Sequence, residues 1–142
     1  MSRVGFEGVT PVLRVADLKA SLAYYLDKLG FTVGWQSPVF AHVSRGKCRL
    51  FLCQGDQGAG KAWIFIGVED VDALYAEYQA SGAVIRHPPA NYPWAAEMQV
   101  EDPDGNVLRM GSDRKSGTPI GDWLDADGKR WRWVDGNWAD AS

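Results

Sequence analysis

The feature that most restricts the fold of this chain is a repeat with an offset of 53 residues: Val15, Asp17 and Tyr25 recur as Val68, Asp70 and Tyr78. Identity between the copies is weak, but the elements around them follow the same order, as a duplicated module would leave behind. In the first copy, residues 9–15 read as a strand, with Pro11 near its start, where a missing ladder donor is tolerated at an edge. Asp17 then caps a helix with the apolar stripe Leu18, Leu22, Tyr25, Leu26 and Leu29, and Gly30 stops it. Short strands are predicted at 31–35, 39–43 and 49–53, with a hairpin turn at Arg45-Gly46.

Residues 55–60, Gly-Asp-Gln-Gly-Ala-Gly, hold nothing that packs and read as a linker, after which the order restarts. Residues 62–68 form a strand. Asp70 or Asp72 caps a helix striped by Val71, Leu74, Tyr75 and Tyr78, and Gly82 ends it. Strands at 83–86, 95–100 and 107–110 complete the copy, the last two joined by the tight turn Asp102-Pro103-Asp104-Gly105-Asn106. Residues 87–93, with three prolines, are predicted to be a loop. The fold class is therefore α+β: two tandem βαβββ modules forming a curved mixed sheet with a cleft. A C-terminal β-hairpin extension carries four of the seven tryptophans and is held to the body by them. The expected boundaries are 1–54 for the first module, 55–61 for the linker, 62–112 for the second module and 113–142 for the extension.

Charge and cysteine usage narrow the function classes. Fifteen Lys and Arg against eighteen Asp and Glu give a formal charge of −3, so nucleic acid is not an expected partner. The basic-aromatic run at 129–133 is interrupted by flanking aspartates and reads as one solvated strand. No apolar run approaches the eighteen or so residues that cross a membrane, and no leader is evident, so a cytoplasmic protein with no membrane partner is expected. Cys48 and Cys53 lie five apart in a strand and point to opposite faces, which predicts two reduced thiols.

The repeated module resembles the paired units of the vicinal oxygen chelate superfamily of glyoxalases, dioxygenases and bleomycin resistance proteins. Residues 10–15 running to Gly30-Phe31 and the Asp-Pro-Asp-Gly-Asn turn carry the superfamily resemblance. Residues 62–66 running into 74–77, with Pro93-Trp94 ahead of the last strand pair, look like the metal-free bleomycin resistance (bleomycin-binding) proteins. In metal-dependent relatives, histidines and glutamates hold the ion. The matching positions here are Thr10, Trp63, a place near Arg49 or Phe51, and Arg109, so the resemblance implies no metal and no other cofactor. His42 and His87 are the only histidines, and no serine or cysteine partner or second carboxylate completes a catalytic set, so no catalytic residue is expected.

The resemblance implies a homodimer whose aromatic-lined groove sequesters a flat aromatic antibiotic or metabolite, cationic bleomycin-type compounds included, without catalysis. The ligand-binding residues implied are Trp35, Phe40, Trp63 and Trp94, with Glu97 facing the cleft because it is out of phase with Ala96, Met98 and Val100. Trp63 and Phe40 are equally compatible with core packing, and Glu97 with an outer face. Two other readings stand beside this one: a metal-dependent glyoxalase- or dioxygenase-like lyase or oxidoreductase with an atypical metal site, and an interaction module that docks through the tryptophans of its tail.

Overall fold

The computed structural model describes residues 3–141. Both copies of the repeat fold with one topology. In the first, β1 (Val12–Arg14), α1 (Leu18–Asp27), β2 (Thr32–Gln36), β3 (Phe40–Arg45) and β4 (Cys48–Cys53) give a sheet of order β1-β4-β3-β2. In the second, β5 (Trp63–Gly67), α2 (Val71–Ser81), β6 (Val84–Asn91), β7 (Ala96–Glu101) and β8 (Val107–Ser112) give the order β5-β8-β7-β6. The first strand of each sheet pairs in parallel with the last, and all other neighbours are antiparallel. By its contacts the chain divides into two compact units: the chain up to Ala62 with Asp102–Asn106, and Trp63–Glu101 with the chain from Val107 on.

The repeat is repeated in its hydrogen bonds. The Asp17 and Asp70 side chains cap their helices by accepting from the amides of Ala20 and Ala73. Tyr25 and Tyr78 are the largest fully buried side chains of the two helices. The helices end differently: α2 closes on Gly82 in the left-handed conformation, whereas Lys28 caps α1 in a right-handed one and Gly30, with φ of 78°, makes the turn two residues later.

Each sheet buries one face against its helix. Leu13, Ala41, Val43, Leu50 and Leu52 form that face in the first unit, and Met98, Val100, Leu108 and Met110 in the second. The first unit also holds the Asp-Pro-Asp-Gly-Asn turn. Asp102 accepts from the Tyr25 hydroxyl at 2.9 Å, the Asn106 side chain at 2.9 Å and two backbone amides, while Asp104 accepts from the Ala16 amide at 2.8 Å. Burial, then the Asp102 carboxylate, push the Tyr25 hydroxyl pKa well up, so it stays a donor.

Two expectations need correction. Residues 87–91 are not a loop but the second half of β6, the edge strand of its sheet. Its ladder slips between Ile85 and His87 and again between His87 and Ala90, which places Pro88 and Pro89 where no ladder amide is required. The first strand is also shorter than predicted: β1 begins at Val12, and Val9 is almost wholly exposed.

The C-terminal extension forms a third sheet of order β11-β10-β9, from β9 (Trp123–Leu124), β10 (Arg130–Val134) and β11 (Asn137–Asp140), one strand more than a hairpin. It is tied into the second unit through Asn91, which donates to the Lys115 and Thr118 carbonyls and accepts from the Lys115 amide. The Tyr92 hydroxyl donates to the Asp122 carbonyl at 2.9 Å. Both cysteines are free thiols, and no helix among the described residues is long and apolar enough to cross a membrane.

Candidate functional site

Strand register defines which side chains occupy the sheet face opposite each helix. In the first unit Phe40 pairs with Cys53 and His42 with Phe51. Their rings lie together: Phe40 and Phe51 at 5.2 Å, and His42 and Phe51 at 5.5 Å. Strict alternation would put Trp35 on the same face as Val33, toward the helix. A bulge after Val33 instead pairs Trp35 with His42, and the indole stacks on Phe40 at 5.6 Å with 16° between planes. A Cβ at Gly34 would lie 2.4 Å from His42 Nδ1, so any other residue in this bulge would displace that ring. Trp35 remains 51% exposed, so one side of the stacked pair faces outward.

The second unit carries different chemistry at the matched positions. Val12 pairs with Phe51 as Phe65 pairs with Arg109, and Phe40 pairs with Cys53 as Glu97 pairs with Gly111. With the offset linking Val12 to Phe65 and Arg14 to Gly67, Arg109 therefore takes the place of Phe51, Glu97 that of Phe40 and Gln99 that of His42. Arg109 binds Glu97 through two hydrogen bonds, Nε to Oε2 at 2.8 Å and Nη2 to Oε1 at 3.0 Å, and the Trp94 indole donates to the same Oε1. The Glu97 side chain has no exposed surface, and that of Arg109 is 26% exposed.

Aromatic rings enclose this pair. The Arg109 guanidinium carbon lies 5.0 Å from the Trp123 ring centroid, 5.4 Å from Phe65 and 5.8 Å from Trp94. Trp94 stacks on Tyr92 at 5.3 Å, and Trp123 and Trp138 meet both. Burial, then the Glu97 carboxylate, push the Tyr92 hydroxyl pKa up, consistent with its role as a donor to the extension. Beside this group, Arg86 lies over Trp63 at 5.1 Å and donates to Gln99 and to the carbonyls of Leu124 and Asp125, so the extension occupies that guanidinium.

The structure thus groups Trp35 and Phe40 on the first unit's face, and Trp94 and Glu97, with Trp63 nearby, on the second's. Glu97 lies on the sheet face opposite α2, where its carboxylate is buried and held by Arg109 and Trp94. Sequence reasoning missed Phe51, Phe65 and Trp123. The 53-residue offset from Val12 is the signal that would have found Phe65. Trp123 had no such signal, because nothing local shows where a tail folds back.

The metal positions can be tested by their donor chemistry. Thr10 offers only a neutral hydroxyl, Trp63 and Phe51 offer no lone pair, Arg49 and Arg109 are cations, and the nearby carboxylate already accepts three N–H groups. These residues do not fit a divalent ion. Among the described residues no group of three or more His, Cys, Asp or Glu side chains stands together elsewhere.

Comparison with known proteins places these features in context. A family model described as Glyoxalase/Bleomycin resistance protein/Dioxygenase superfamily matches residues 9–110. A bleomycin resistance protein of Geobacillus stearothermophilus is 30% identical over 127 residues, covering 75% of this chain and 96% of the relative. The crystal structure of a bleomycin-binding protein from Streptomyces verticillus, complexed with copper(II)-bleomycin, superposes with a TM-score of 0.69 at 28% identity, covering 79% of this chain and 100% of that one. TnmS3, an antibiotic binding protein from Streptomyces sp. CB03234, has the same fold, with a TM-score of 0.68 at 23% identity over 78% of this chain and 99% of its own. The family match ends at residue 110, before the extension.

Proposed function

The chain belongs to the Glyoxalase/Bleomycin resistance protein/Dioxygenase superfamily, and from that premise we propose that it is a non-enzymatic binding protein for a flat aromatic antibiotic or metabolite of the bleomycin type. The observation that carries this reading is the Trp35–Phe40 stack, a ready-made platform of which Trp35 is half exposed. An exposed apolar ring surface of this kind gains from covering by a planar ligand. Trp94, 46% exposed, and Phe65, 51% exposed, offer a second platform on the other unit. The names of the relatives above support the ligand class, and the donor chemistry at the metal positions supports binding over metal-dependent lyase or dioxygenase chemistry.

The proposed state is a cytoplasmic homodimer. Its support is residues 3–11 ahead of β1, where Val4 and Val9 are nearly fully exposed and Phe6 is 100% exposed on its own chain. A second copy would cover that apolar surface.

Titration with metal-free and copper-loaded bleomycin tests the proposal. Indole fluorescence should quench, the melting temperature should rise with ligand concentration, and the ligand should be recovered unchanged. No response to either form would overturn the antibiotic reading, and stoichiometric transition metal in protein purified without chelator would overturn the non-enzymatic one.

A further inference from the structure

Resting on the binding role just proposed, we infer that the second unit's face selects planar ligands by a hydrogen-bond acceptor on the ring edge, such as a carboxylate, phenolate or carbonyl, and not by a positive charge. The inference follows from an account of donors and acceptors around Glu97. Its carboxylate has no exposed surface and accepts from Arg109 Nε, Arg109 Nη2 and the Trp94 indole. No surface remains on it for a cationic group. The other carboxylates of this region are also engaged: Asp125 accepts from the Trp131 indole at 2.9 Å and from the Lys129 and Asp127 amides, and Asp122 lies 3.6 Å from Arg132.

Donor capacity, by contrast, remains. Arg109 uses Nε and Nη2 on Glu97, while its Nη1 makes no hydrogen bond among the described residues and its side chain is partly exposed. Arg86 is not a competing donor, because Gln99 and the Leu124 and Asp125 carbonyls hold it. The partly exposed Arg109 guanidinium, with Nη1 unused, therefore sits among three rings, its carbon 5.4 Å from the Phe65 centroid, 5.8 Å from Trp94 and 5.0 Å from Trp123 of the extension. A flat ligand that stacks on Phe65 or Trp94 with an acceptor in its plane meets that guanidinium. A cationic substituent in the same place meets a like charge.

Two matched probes test this: 2-anthracenecarboxylate and 2-(aminomethyl)anthracene, the latter a cation at neutral pH, titrated by calorimetry against the full chain. One charge-assisted hydrogen bond predicts that the carboxylate binds about ten-fold tighter or more. In the Glu97→Gln/Arg109→Gln double variant, which strands no buried charge, the preference should fall below about two-fold. Phe65→Ala, at an exposed ring, should weaken both probes alike and leave their ratio unchanged. Equal or tighter binding of the amine by the native chain, or a preference that survives in the double variant, would overturn the inference. If neither probe binds while bleomycin does, the inference fails and the binding role stands. If none of the three binds, both fail.

Discussion

The two sheet faces descend from one topology and have opposite chemistry. At matched register positions the first unit places Phe40 and Phe51, two rings 5.2 Å apart, where the second places Glu97 and Arg109, an ion pair closed at 2.8 Å. The first face is held by contact area alone and is left partly uncovered. The second is held by directed hydrogen bonds and is walled by tryptophans from a segment beyond the family match. A duplicated scaffold therefore keeps its helix-side cores alike while its other faces diverge, because the core must pack and the opposite face need only be soluble or useful.

The sharpest way to break this comparison is to remove one member of each pair. Arg109→Ala strands a buried carboxylate and should cost roughly 3–5 kcal/mol in urea unfolding. Phe51→Ala, at a half-buried ring, should cost about 2 kcal/mol. The Glu97→Ala/Arg109→Ala pair should recover much of the single-variant loss, since no charge is left unpaired. Equal costs for the two single variants would remove the distinction between the faces.

Trp123→Ala tests whether the extension is part of the second face. Losing its contacts with Trp94, Tyr92 and the Arg109 guanidinium should cost about 2 kcal/mol and expose Tyr92 to acrylamide-accessible solvent, while the Trp35 stack is untouched.

His87 gives the second unit a pH dependence. Its Nδ1 lies 2.7 Å from the Pro88 carbonyl and its Nε2 faces Arg130 at 3.5 Å, so the neutral ring with the proton on Nδ1 satisfies both. Burial first, and then Arg130 and Arg86, hold its pKa below the usual histidine value, against Asp122 and the Pro88 bond, which raise it. The unfolded chain then binds a proton more readily than the folded one. Its stabilising contribution is complete above about pH 6.5 and is lost as the pH falls toward the lowered folded pKa. Melting temperature should decline across that interval, and His87→Gln should flatten the decline.

The smallest expected effects are the matched caps. Asp17→Ala and Asp70→Ala should each cost about 1 kcal/mol and by similar amounts, because both carboxylates accept from the amide three residues on.

What was legible in the sequence follows from how local its cause is. The helix caps, the apolar stripes that include Tyr25 and Tyr78, and the element order are set by neighbours within a few residues, and these are readable in the sequence. Strand character in residues 87–91 was hidden because prolines are excluded from a ladder only where it needs their amides, and β6 lies at an edge with two slips. The side on which Trp35 lies depends on a bulge at Gly34 that answers to His42 across the ladder. The partnership of Glu97 with Arg109 was open to inference from the hairpin, since residues 97 and 109 lie on adjacent strands. Phase alone, however, gives a side of the sheet and not whether a cation already fills it.

The most direct test of the account is an indole N–H correlation spectrum of the uniformly ¹⁵N-labelled protein, with assignments by single tryptophan replacement, during titration with copper-loaded bleomycin. Saturable shifts are predicted for the Trp35 and Trp94 resonances, the exposed indoles of the two platforms, while Trp131, whose indole donates to Asp125, stays in place. Unmoved Trp35 and Trp94 signals at saturating ligand, or shifts confined to Trp131 and Trp133, would contradict it.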